Sequence, residues 1–305
     1  MNPIQLIVDA LSQGSLYALI ALGIGLVFGV MRMINFAHGE LIMIGAYALV
    51  VPSASDMARP FIAAWPAPLL IAAVIGFVAV AALATERFAF RPLRRREVDS
   101  ATLLISSFAV SYLLQSLVLF FYTGRPKSVS IFPSLTRQIT FGGVRVAMVD
   151  AVTILVTAAL LAATVVFLRR ARAGIEVRAA AEDFVMARML GVKANRVIAL
   201  AFGLSGAMAG AVSLLFVAKT GVLDFRMGVP LAIAGFVGTV IGGVGNLVGA
   251  VLGGFFLGAA SVLLQALLPE ELRPARDAFL YSLVILVLLV RPQGLFVTRG
   301  AGERI

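Results

Sequence analysis

The chain has 305 residues, 61% of them hydrophobic and 13% charged, with a formal net charge of +10 and no cysteine; its mean hydropathy is +1.04. That balance excludes a soluble globular domain and points to an integral membrane protein. The missing thiols exclude disulfides and thiolate metal sites. The positive charge is expected to serve topology and anionic lipid headgroups rather than nucleic acid, which calls for a soluble basic face with aromatic platforms.

A bilayer core of roughly 30 Å takes about 20 apolar helical residues to cross, so uncharged runs mark the spans. Residues 10–31 form the first. No basic residue precedes them and Asp9 stands just before, which argues against a secretory signal. The next stretch, 33–51, is weaker and contains RMINFAHGELIMIGAY, with Asn35, Gly39, Glu40 and His38, the chain's single histidine. A charged group at mid-bilayer costs about 2.5–3.5 kcal/mol on insertion scales. His38 and Glu40 are therefore expected to be paired, close to the interface or facing a polar cavity, and lipid exposure is disfavoured. The nearby basic Arg32 makes a shallow position reasonable. Gly39 and Asn35 predict a helix break whose polar side chains bond freed backbone groups. A satisfied hinge and direct substrate contact both fit.

Uncharged runs at 60–85 and 100–124 predict two further spans. The loop from about Tyr122 to Ala147 contains Pro126, Pro133 and Gly142-Gly143 and is too short for a substrate-catching domain. After a span at 151–168 comes the charged loop 169–196. Within it Glu182 and Asp183 are expected to open a short helix, where the dipole favours negative charge, and Gly191 to end it. Val185, Met186, Met189 and Leu190 follow helical spacing and, with Arg188 beside them, predict an apolar patch on a charged loop. Such a patch suits either an interfacial amphipathic helix or a knob inserted into a groove of a cytoplasmic partner.

The span at 197–218 holds Gly203, Ser205, Gly206, Ala209 and Gly210, small residues that let helix backbones approach closely. No charge occurs from 227 to 269, a run long enough to cross twice. Gly245, Gly249 and Gly253 are spaced by four, as are Gly238 with Gly242 and Gly254 with Gly258, which predicts packing stripes. The string Gly242-Gly243-Val244-Gly245-Asn246 predicts a break where backbone bends or lines a path. A last, weaker segment lies at 278–290. Barrel-strand alternation is absent, so the expected fold is an all-α polytopic membrane protein, one transmembrane domain over 1–305 with eight or nine membrane segments, some broken or re-entrant.

Of the 25 Lys and Arg, 16 fall in alternate loops: Arg32, Arg87 to Arg96, Arg169 to Arg196 and the tail from Arg291. Positive loops stay cytoplasmic, so nine crossings put the N-terminus outside and the C-terminus inside. A phosphate-binding loop needs glycine before Lys-Ser or Lys-Thr, but Pro126 and Ala218 precede the two candidates. ATP use by that route is excluded, and one histidine without cysteine leaves no clustered metal ligands. The string Gly203-Leu204-Ser205-Gly206 resembles the motif of rhomboid intramembrane proteases, yet the sole histidine lies far upstream, in the wrong place to activate Ser205. An ion-coupled secondary transporter would have only His38 and Glu40 as intramembrane titrating groups.

Four stretches resemble permeases of branched-chain amino acid ABC importers of the LivH type, in that family's order. They are GSLYALIALGIGLVFGVMRMINFAHGELIMIGAY, AAEDFVMARMLGVKANRVIALAFGLSGAMAG, VGTVIGGVGNLVGAVLGGFFLG and RPQGLF (Arg291 to Phe296). The resemblance implies a transport subunit of a bacterial inner membrane rather than an enzyme. It would work with a second homologous permease, two cytoplasmic ATPases that use the ATP, and a periplasmic binding protein, and would bind no cofactor itself. It further implies ATPase coupling through Glu182, Asp183, Val185, Met186, Arg188, Met189, Leu190 and Gly191. A translocation path is expected near Asn35, His38, Gly39, Glu40, Gly242, Gly243, Gly245 and Asn246. Family members often carry a lysine on the approach to the glycine-rich break, where this chain has the uncharged Pro230 to Phe236. Substrate class therefore stays open among branched-chain or other amino acids, urea and short amides; urea-type permeases usually carry a long N-terminal extension, which disfavours them.

Overall fold

The computed structural model describes residues 3–53, 55, 58–96, 98–141 and 144–296. Gly142-Gly143 of the Tyr122–Ala147 loop and the tail beyond Phe296 lie outside these. The helices in chain order are α1 (Pro3–Met31), α2 (Ala37–Tyr47), α3 (Ala67–Thr85), α4 (Arg91–Arg95), α5 (Ser100–Tyr122), α6 (Met148–Arg170), α7 (Arg172–Glu182), α8 (Phe184–Met189), α9 (Ala194–Thr220), α10 (Gly228–Gly242), α11 (Leu247–Leu267) and α12 (Arg276–Val290). A π-turn at Glu86–Phe90 joins α3 to α4.

Six helices among the described residues are long and apolar enough to cross a bilayer: α1, the continuous Ala67–Arg95, α5, α6, α9 and α11. Three shorter helices pack against them. At 1.5 Å per residue, α2, α10 and α12 reach only about 16–22 Å, less than a bilayer core. Non-helical segments precede two of them, residues 32–36 before α2 and 224–227 before α10, the latter a turn closed by Met227 N on Asp224 O. Six long apolar helices and the shorter apolar α10 among the described residues make an all-α polytopic membrane fold, as expected. The run 227–269 does not supply two full helices, however, because α10 is a half-length helix. Proline and glycine around residue 230 do not set its start alone; the chain is first held at the far end by β4 (Val222–Leu223), paired antiparallel with β1 (Lys127–Ser128).

α1 is the central helix, buried along most of its length between α9, α10 and α11. Glycines make this possible. Gly253 of α11 meets the backbone of Gly238 and Gly242 on α10, while Gly254 and Gly258 meet the backbone of α1 at Ala18 and Gly14. Gly206 and Gly210 of α9 likewise seat on α3 at Ala79 and Ile75, as their spacing predicts. Gly245 departs from its expected stripe: with φ +87° it belongs to the turn between α10 and α11.

The two ends of the bundle differ in chemistry. At one end lie α7 and α8, Arg32, whose guanidinium donates to Ala181 O at 3.3 Å, and the α10–α11 turn. At the other, β2 (Gln138–Phe141) and β3 (Val144–Ala147) form an antiparallel hairpin, structure that the proline- and glycine-rich loop did not announce. Lys127 is fully buried there, its ammonium donating to Ser53 O at 2.8 Å and Ser55 O at 2.5 Å. Ser12, Asp150 and Lys219 also meet at this end: Ser12 donates to Asp150 at 2.7 Å, and Lys219 lies 3.1 Å from the same carboxylate.

Candidate functional site

The break predicted around Asn35 is present. α1 ends at Met31, Arg32 takes φ +53°, and α2 starts at Ala37. Backbone groups freed there are bonded as expected of polar residues in a membrane. The Asn35 side-chain oxygen accepts from Ala37 N at 3.2 Å, and Ser107 Oγ accepts from Phe36 N at 3.3 Å. Gly39 lies inside the first turn of α2 instead of at the break. It lets α2 touch the first turn of α10, where any side chain would run into Gly228 O and Ala232.

His38 and Glu40 are buried and neither faces lipid. His38 Nδ1 is hydrogen-bonded to Ser205 Oγ of α9 at 3.0 Å, and its ring fills the space left by Gly23 of α1. Gly23 is eight residues from the end of α1, about 12 Å by helical rise, so the histidine is deeper than its proximity to Arg32 implied. Glu40 accepts from Ser111 Oγ at 3.2 Å. Its other oxygen has no hydrogen-bond partner among the described residues and lies against Gly228, at the N-terminus of α10. The first turns of two half-length helices thus converge on one carboxylate, which the positive ends of both dipoles favour.

The Ser205–His38 bond corrects the objection that the histidine lies in the wrong place for Ser205. The pair still makes a poor protease. Both side chains are about 1% exposed, which denies a peptide access, and among the described residues no carboxylate is bonded to the ring. The pair ties α2 to α9.

The sequence reading missed the residues that complete the site. Ser107, Ser111 and Gln115 occur at four-residue spacing on α5, one face of a helix. They bond in turn Phe36 N, Glu40 and Phe225 O, the last at 3.3 Å. A polar stripe inside an uncharged run was the available signal. In front of it, Phe36 stacks on Phe108 at 4.3 Å between centroids and approaches Phe236 at 5.9 Å. Phe108 is half exposed, so this aromatic group borders an open face between α2, α5 and α10.

Gly242, Gly243, Gly245 and Asn246 do form a helix break. Asn246 caps α11 by accepting from Val248 N and Gly249 N, both at 3.1 Å, and donates to Phe296 O at 2.7 Å. Leu295 N donates to Ile241 O at 2.7 Å, so the RPQGLF segment clamps this turn. The break sits beside Arg32, at the far end of α10 from Gly39. The structure therefore separates it from Glu40 by roughly 20 Å along α10 and from His38 by about 12 Å along α1.

The loop 169–196 forms two helices instead of one. Glu182 is the last residue of α7, and only Asp183 opens α8, its carboxylate accepting from Met186 N at 2.9 Å. Gly191, with φ +90°, ends the segment as expected. Ala187 anchors α8, while Val185, Met186, Met189 and Leu190 are 53–80% exposed and Arg188 is exposed beside them. α9 follows within a few residues and carries Ser205.

Comparison with known proteins agrees with this architecture. Residues 6–289 match the family model described as branched-chain amino acid transport system / permease component. The Escherichia coli (strain K12) high-affinity branched-chain amino acid transport system permease protein LivH is 36% identical over 303 residues, 96% of this chain and 94% of its own length. Its counterpart BraD from Pseudomonas aeruginosa is 32% identical over 302 residues, 96% and 95% of the two chains. An autoinducer 2 import system permease protein, LsrC of Klebsiella pneumoniae, is 33% identical over 129 residues, 40% of this chain and 37% of its own. No solved structure matches. With nearly the whole length matched, and a bundle of apolar helices broken where the motifs lie, this chain belongs to the branched-chain amino acid transport permease family.

Proposed function

We propose that the chain is the membrane-spanning permease subunit of a bacterial ABC importer, moving branched-chain or related amino acids delivered by a periplasmic binding protein and driven by partner ATPases. The observation that carries this reading is α8, an anchored, capped helix with four large apolar side chains exposed, combined with full-length similarity to permeases named for that transport. A homologous second permease completes the translocation unit, most simply as a heterodimer. The arginine-rich end faces the cytoplasm of the inner membrane, with the N-terminus outside. The chain itself holds no cofactor; ATP binds the partner subunits.

In mechanism, closure of the ATPase pair on ATP pushes α8, and α9 carries the displacement to the Ser205–His38 bond. α2 and α10 then shift against one another at Gly39 and Gly228, and the two permeases rock open toward the binding protein. Substrate passes the open face bordered by Phe36, Phe108 and Phe236, with Asn35, His38 and Glu40 as the polar band behind it. The break at Gly242 to Asn246 is the hinge at the cytoplasmic end.

Reconstitution with the cognate ATPases and binding protein tests the reading. Leucine, isoleucine or valine uptake is expected to be saturable and to require ATP. Uptake confined to urea or short amides would replace the substrate, and uptake driven by an ion gradient without ATP would overturn the transporter class. His38→Ala removes one buried hydrogen bond, worth about 1 kcal/mol, and should slow transport roughly fivefold while the ATPases still hydrolyse ATP. His38→Gln should recover part of that rate; wild-type transport by the alanine variant would remove His38 from the coupling path.

A further inference from the structure

At the α8 end of the bundle, Arg87, Arg91, Arg95 and Arg96 line a cleft of about 310 Å³ together with Pro92. Arg87, Arg91 and Arg95 are spaced by four and so share one side of the helix that runs through the π-turn at Glu86–Phe90. Phe90 fixes the position of the cleft by packing on Phe202 of α9 at 5.5 Å between centroids, about two turns from the start of α9.

The described carboxylates nearby, Glu86 and Asp99, are already engaged. Glu86 is ion-paired with Arg94. Asp99 caps α5, and the Thr102 hydroxyl and N–H that bond it hold its carboxyl below the usual carboxylate range. None of the four cleft arginines has an ion pair among the described residues, and Arg91 Nε is buried without a hydrogen-bond partner. Such an arrangement asks for an external anion with several acceptor oxygens, because guanidinium forks match phosphate geometry.

The surroundings indicate where that anion comes from. Phe88 is 80% exposed between Arg87 and Arg91, and Val80 and Phe77 continue the same exposed apolar flank along α3. The arginines thus stand at the boundary between acyl chains and headgroups. We propose that this cleft binds the phosphate of an anionic phospholipid in the leaflet at the α8 end. An acidic protein segment is disfavoured, since it would have to approach along a lipid-covered flank.

The test uses the transporter purified with its partner subunits, followed by native mass spectrometry and titration with phosphatidylglycerol or phosphatidylcholine. Wild-type protein should retain and rebind phosphatidylglycerol selectively. In the triple variant Arg87→Gln, Arg91→Gln, Arg95→Gln that affinity should fall on the order of a hundredfold, about fivefold for each cation removed. The matching triple lysine variant preserves the topogenic charge but not the forks, and should show a loss of about threefold to tenfold. Undiminished binding in either variant overturns the proposal. Displacement of the lipid by millimolar glycerol 3-phosphate would mark a free-anion site instead, and loss of the ATPases with lipid binding unchanged would mark a protein contact; both outcomes overturn it.

Discussion

Leucine in place of Gly253 is expected to disrupt the bundle more severely than any polar substitution at the candidate site. A side chain at Gly253 would run into Gly238 O, Gly242 N and Gly242 Cα. All three are backbone atoms, so no rotamer change can relieve the overlap, and α10 and α11 must separate. α11 cannot retreat, because Gly254 and Gly258 on its other side already rest on the backbone of α1. α10 is held in turn by the Leu295 N–H on Ile241 O and by the Asn246 amide on Phe296 O. Overpacking of this kind costs typically 1–3 kcal/mol and more where backbone must move. The variant should accumulate poorly and unfold at lower temperature in detergent, measured by fluorescence-detected size-exclusion during a thermal ramp. Gly253→Ala should be the milder of the two. A leucine variant as stable as wild type would mean that α10 and α11 do not pack backbone to backbone.

Aspartate at Met189 should leave the fold intact and remove transport. Met189 is 76% exposed and packs on nothing that α8 needs; surface changes of this kind alter stability by about 0.5 kcal/mol or less. The helix keeps its start through Asp183 and its stop through Gly191. If α8 docks in an apolar groove of an ATPase, a carboxylate at this exposed position is buried without a partner. Centrally placed contact residues contribute 2 kcal/mol or more, so transport and substrate-stimulated ATP hydrolysis should fall on the order of thirtyfold. Arg188→Asp reverses a charge beside it and should act in the same direction. Membrane insertion, measured by the amount of chain in washed membranes, should not change. Normal substrate-stimulated ATPase activity in the Met189 variant would sink the docking role of α8.

Residues whose role is local were legible in the chain itself. Asp183 and Gly191 delimit α8 because capping oxygen and positive φ act within a few residues. Gly206, Gly210, Gly253 and Gly254 announced helix contacts because removing Cβ serves close approach wherever the partner comes from. That His38 and Glu40 avoid lipid followed from the cost of exposing such groups to it. Glu182 was misplaced because an acidic pair reads as one helix start, while the structure divides the segment between two helices at Asp183.

What composition and spacing determined was the class: eight or nine apolar segments, a basic end, and an apolar knob on a charged loop. The pairings across the bundle came only with the tertiary structure. Ser205 stands 167 positions from His38 and Ser111 stands 71 from Glu40; no local rule links them. The same holds for the carboxylate between the starts of α2 and α10, and for the separation of the Gly242–Asn246 turn from the polar band. Each depends on how far short helices reach and which backbone faces touch. Hydropathy is a sum along the chain, whereas hydrogen bonds and backbone collisions are set by distances between segments that the chain brings together only on folding.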